Sequence, residues 1–120
     1  MKKYFSGLLA LIIAIGATAF TNANKNVLPE GTKLFRYVPP AVSPFSEANV
    51  ENRANWVLAT GSSVCDDVDE RACELIVDDV HINPNNTLKS TLTIDAVQFQ
   101  QTGIFFVNES SATDIINKTN

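Results

Sequence analysis

Cys65 and Cys73 are the only cysteines in the chain, and seven residues separate them. That spacing is not the C-x-x-C of a redox pair, nor the doubled C-x-x-C of a zinc site, and the single histidine could add little to a metal set. In an oxidising compartment the pair reads as a structural disulfide, Cys65–Cys73. Closing a loop of this size stabilises a chain by about 2.5 kcal/mol on the chain-entropy estimate. Between the cysteines stand Asp66, Asp67, Asp69 and Glu70. Carboxylates at this density are the raw material of a calcium site, which takes six to eight oxygens. The EF-hand pattern is absent, because that loop is longer, with a central glycine and a closing glutamate. The plainer reading is a charged, solvated hairpin tip.

His81 follows Asp78 and Asp79. A Ser/His/Asp set can be written down with any of the serines, but no Gly-x-Ser-x-Gly elbow sets up a nucleophile. In an alternating strand His81 would face away from Val80 and Ile82, as an exposed histidine. Carboxylate pairs for glycoside hydrolysis are available, although a chain this short leaves little room for a cleft beside a core. Asn85-Asn86-Thr87, Asn108-Glu109-Ser110 and Asn117-Lys118-Thr119 match the glycosylation acceptor pattern, which matters only in a eukaryotic host. The residues therefore predict no catalytic residue, no metal ligand and no cofactor.

The elements that position these groups read as short strands. Residues 24–49 hold Gly31 and four of the five prolines, Pro29, Pro39, Pro40 and Pro44. Within them Lys33 to Val38 is one possible strand, closed by Pro39-Pro40. Ser46 to Glu51 reads as a helical turn with Ser46 at its N-cap. Trp56 to Thr60, Glu74 to Val77 with a continuation to Ile82, Thr91 to Ala96 and Ile104 to Val107 are further strand candidates. Gly61-Ser62-Ser63, Asn83-Pro84-Asn85-Asn86 and Gln100 to Gly103 punctuate them. The two-residue period places Trp56, Leu58, Leu75, Val77, Leu92, Ile94, Ile104 and Phe106 in the core. The fold class predicted is mostly β. It is a small antiparallel sheet, a meander or small sandwich, after an N-terminal signal helix and an irregular Pro-containing segment. The cysteines would clip the neck of a hairpin made by Trp56–Thr60 and Glu74–Val77.

The N-terminus carries a secretory pattern. Lys2 and Lys3 precede the apolar run Leu8 to Ala17, and Ala17-Thr18-Ala19 is a small-x-small cleavage site, with Thr21-Asn22-Ala23 a second. The run is short for a membrane span, which needs roughly 20 apolar residues, and no basic stop-transfer flank follows it. The division expected is a signal peptide over 1–19 with cleavage as late as 23, an irregular Pro-rich segment over 20–54, a small β domain with one disulfide over 55–108, and a polar tail over 109–120. Within that tail, Ile115-Ile116 could dock. The chain has 9 Lys and Arg against 13 Asp and Glu, a formal charge of −4; residues 1–19 hold two lysines and no acid, so the remainder stands at −6. Such a balance argues against nucleic acid or anionic lipid as partners.

The lysine-led signal ending near Ala19-Phe20-Thr21, the Asn55-Trp56-Val57 segment, and Cys65 with Asp69-Glu70-Arg71-Ala72-Cys73 resemble a group of small exported proteins of Bacteroidota. The resemblance implies a bacterial, exported setting, periplasmic or at the surface. It carries over no activity and no binding residue. The function expected is a non-enzymatic exported protein (periplasmic, cell-surface or extracellular) that acts by binding or as a surface component, with a protein or surface component as the partner expected and no stable membrane span after cleavage. A calcium-dependent module using residues 66–70 is the alternative, and a small secreted hydrolase the second. Mass spectrometry of the exported protein is expected to find an N-terminus between Phe20 and Asn24; an intact Met1 in the membrane fraction would instead identify an anchor.

Overall fold

Residues 28–119 are described by the structure, a computed structural model. The predicted signal segment, 1–19, with both cleavage sites, lies outside the described residues. Among the described residues six strands form: β1 (Thr32–Tyr37), β2 (Trp56–Leu58), β3 (Arg71–Asp78), β4 (Ile94–Gln98), β5 (Phe105–Ser110) and β6 (Asp114–Lys118). They make two antiparallel sheets, one of four strands in the order β2-β1-β3-β6 and one of two, β4-β5. The mostly β, antiparallel class read from the sequence is the one observed. Of the two arrangements expected, the four-over-two sandwich describes it and a meander does not, because β1 lies between β2 and β3.

The inner pair explains the sequence pattern. Leu34 and Phe35 are adjacent and both buried, and in β3 so are the consecutive residues Ala72 to Leu75. Strands covered on both faces read as runs, not as alternation. On the inner face Phe35 stands opposite Leu75, and Tyr37 opposite Trp56. On the outer face Leu34 stands opposite Ile76, and Arg36 opposite Glu74. The β4-β5 hairpin supplies Ile94, Ala96 and Val107 to the same core as Phe35, Leu75 and Val77.

Pro39-Pro40 ends the pairing of β1, and the chain turns through a short helix, α1 (Glu47–Val50), and a 3-10 turn at Arg53–Asn55 into β2. Ser46 is the N-cap as read, although its hydroxyl makes no capping bond. The indole of Trp56 donates to the Val50 carbonyl at 2.8 Å. Tyr37 sits between two rings, 5.2 Å from Trp56 and 5.6 Å from Phe45. The segment expected to be irregular thus contributes a central strand, and Phe35, Tyr37 and Val50 to the core.

Four further expectations are corrected. Residues 109–120, read as a polar tail, carry the end of β5 and the edge strand β6, whose Ile115 packs on the core. Ile104 and Phe106 are out of phase by one. Val107 is buried and Phe105 packs against the core, because Val107 pairs with the inward-facing Ala96; the extra residue of β5 falls between Val107 and Glu109, beyond this run. Leu58 is partly buried at the sheet edge, whereas Trp56, Leu75, Val77, Leu92 and Ile94 are core as expected. His81 is not in a strand: Asp79–His81 forms a 3-10 turn capped by Asp78, whose carboxylate accepts from the Val80 amide.

Burial pushes the Tyr37 phenol up to about 12 from an ordinary value of 10.0, and its hydroxyl donates to the Pro44 carbonyl. The folded state therefore holds this proton more tightly than the unfolded chain. The resulting stability is fully present below pH 10 and is lost as pH rises toward 12. Equilibrium unfolding is expected to show a fall over that window that is flatter in Tyr37→Phe. An identical slope in the two proteins would count against this.

Candidate functional site

Loop 59–70 leaves β2 and enters β3 on the far side of β1, so it must cross the sheet. The expected hairpin between Trp56–Thr60 and Glu74–Val77 does not exist, since β1 occupies the place between them. The Cys65–Cys73 disulfide is present, with Cα atoms 6.2 Å apart. It staples the crossing loop to the start of β3. β3 has one residue more than β6 between Arg71 and Glu74, so this end of the strand bulges.

Glu74, fully buried, anchors the middle of the loop. Its Oε1 accepts from Arg36 Nε at 3.0 Å and Nη2 at 2.8 Å. The Ser63 hydroxyl donates to Oε2, and the Val64 amide lies 3.4 Å from Oε1. Ser63 Oγ also accepts from the Cys65 amide at 3.3 Å. A buried carboxylate is tolerated when a guanidinium and further donors satisfy it, as they do here.

The far end of the loop is tied to β6. Asp66 accepts from the Thr119 amide at 2.9 Å and from the Thr119 hydroxyl. The hydroxyl contact is the main reason the Asp66 carboxyl is held below its ordinary range. The Asp67 amide donates to the Asn117 carbonyl at 3.0 Å, and Asp67 takes a positive φ of 60°. Asp69 accepts from Asn117 Nδ2 at 2.8 Å. Asn117 itself is buried. Its Oδ1 accepts from the Val107 amide at 3.2 Å, and its Nδ2 donates to the Val107 carbonyl at 3.0 Å. One side-chain amide thus bonds β5 as a neighbouring strand would. Lys118, next along β6, is lowered from its ordinary value by burial first, then by Arg71 and Arg36.

Two of the loop acids serve these ties. Asp66 turns to Thr119 and Asp69 to Asn117, and among the described residues no three His, Cys, Asp or Glu side chains gather where an ion could be held. His81 Nδ1 lies 3.1 Å from the Thr91 hydroxyl, while Asp78 caps its own turn and Asp79 stands 3.9 Å from Lys33. The written Ser/His/Asp set is not assembled at these residues. Of the three glycosylation acceptor asparagines, Asn85 and Asn108 are exposed and Asn117 is buried in the link between the sheets.

Beside the stapled loop lies a groove of about 640 Å³. Ile76 of β3 and Ile116 of β6 contribute its apolar part; Ser63, Asp66 and Asp67 line it from the loop, and Asp114 from β6. Of its lining the sequence marked Cys65, Asp66 and Asp67, but not the residues that hold the loop in place. Arg36 and Glu74 each interrupt an apolar strand run with one charge, and opposite charges so placed are the signal of a buried pair. Asn117, directly after Ile115-Ile116, was marked only as a glycosylation acceptor, and nothing in that pattern points to a buried amide.

Among the described residues no helix is long and apolar enough to cross a membrane. No family model, no curated protein and no solved structure matches the chain. Asn117→Ala strands the Val107 amide and carbonyl together. It is expected to lower the unfolding free energy by about 2–6 kcal/mol, since each of the two buried unpaired groups costs roughly 1–3 kcal/mol. A denaturant melt indistinguishable from the parent protein would show that β5 is held by other means.

Proposed function

We propose that this chain is an exported, non-enzymatic domain that works by binding, and that the groove between loop 59–70 and the outer face of the four-stranded sheet is its contact surface. The observation that carries this reading is the way the loop is held. A disulfide, a buried carboxylate and an amide link fix a segment with no regular secondary structure against a sheet. A rigid loop that walls a concavity is what recognition requires, because little ordering remains to be done on binding. A groove of about 640 Å³ is within the size range of binding sites.

Export is supported by the secretory pattern of residues 1–19, the disulfide and the resemblance to exported Bacteroidota proteins. A protein or surface component is the kind of partner that suits this setting. The acidic balance disfavours nucleic acid. The non-enzymatic reading draws support from Asp66, Asp69 and Ser63, whose side chains are engaged in holding the fold.

A photo-crosslinking residue placed at Thr113, which lines the groove, is expected to give one discrete adduct in the cells that make the protein. The same residue at Val80, exposed in the turn after β3, is expected to give none. Ile116→Arg, which sets a charge in the groove, is expected to abolish the adduct. No adduct at Thr113, or equal adducts at both positions, would overturn the assignment of the groove.

A further inference from the structure

The residues that line the groove are chemically one-sided, and the ammonium of Lys118, beyond Ile116 on β6, is set against Asp66 and Glu74. Ile76 and Ile116 give the groove an apolar stripe on adjacent strands of the outer face, and Asp66, Asp67 and Asp114 give it three carboxylates. None of the residues that line it is basic. The nearest guanidinium in the buried network, that of Arg36, is spent on Glu74. With a chain charge of −6 outside residues 1–19, the far field has the same sign as the groove.

Resting on the groove as contact surface, we propose that its occupant is an extended peptide segment alternating basic and aliphatic side chains. The aliphatic side chains lie on Ile76 and Ile116, and the ammonium or guanidinium groups face Asp67 on the loop across the groove, with Asp114 exposed at its rim. Alternation follows from the strand period, which sends successive side chains to opposite sides at a rise of about 3.3 Å per residue. An anionic segment is repelled by the same three carboxylates. A bare divalent cation is a poorer fit, because it requires converging oxygens, and Asp66 is already turned to Thr119.

The test is an amide chemical-shift titration of the exported, disulfide-bonded protein with three synthetic peptides. One alternates lysine and valine; the others carry glutamate or serine in place of lysine. The lysine peptide is expected to move the amides of Ile76, Ile116 and the loop around Asp67, and to bind less tightly as salt rises. Asp67→Asn with Asp114→Asn is expected to weaken it about five-fold, the scale of two exposed ion pairs. Both substitutions keep the local fold: asparagine accepts the positive φ of position 67, and it can still accept the Ile115 amide at position 114. If the serine or glutamate peptide moves the same amides as strongly, charge selection is refuted while the groove stands as a binding surface. If calcium alone moves them and displaces the lysine peptide, the groove is a cation site and the proposal fails. If no peptide moves them, the peptide assignment fails. The Thr113 crosslink then decides separately whether the groove binds anything.

Discussion

The two sheets share a core, but hydrophobic contact alone fixes neither register nor distance. The side-chain amide of Asn117 does. It offers Val107 one acceptor and one donor, the complement that an adjacent backbone would offer, and so closes the edge of β5 against β6. The same NH₂ group gives a second bond to Asp69, which draws the loop into the junction. Apolar burial is nondirectional, and a buried polar group that must be satisfied is strict about geometry. One residue therefore sets how hairpin, sheet and loop meet.

Glu74 plays the corresponding part on the outer face. Its pairing with Arg36 is part-buried, and such pairs add little net stability, since desolvation offsets most of the attraction. What it confers is position. A carboxylate locked by a guanidinium has a free oxygen in one place, and Ser63 must come there. Isoleucine opposite Arg36 would bury more apolar area and leave the loop without its central tie. The disulfide alone constrains one point of a twelve-residue crossing, and the loop needs three.

Much of the fold was legible because strands announce themselves. Trp56, Leu75, Val77, Leu92 and Ile94 are buried where the two-residue period put them. At β5 the period left the face open: Ile104 to Val107 are all apolar, so composition does not show which alternate pair turns inward. Prolines made residues 20–54 look irregular, yet a six-residue strand fits between Gly31 and Pro39 and becomes central in the sheet. Pairing order was not legible at all. Nothing local to β2 or β3 shows that β1 comes between them, and the hairpin inferred from the cysteines was wrong for that reason. The cysteine pair itself was legible from count and spacing, because two thiols and one histidine leave few alternatives. The groove was not, since its walls come from residues about fifty apart.

The pairing of β3 with β6 has a consequence for how the chain folds. Asn117, the ends of loop 59–70 and the free edge of β5 all wait on the last strand in the order of synthesis. Until β6 has emerged, β3 lacks one neighbour and the hairpin has no amide to lock it. Contacts that join segments about forty residues apart form late, because loop closure precedes any gain from them. A chain made in that order stays unlocked until β6 has followed, so the strand that completes the sheet also completes the junction between the sheets.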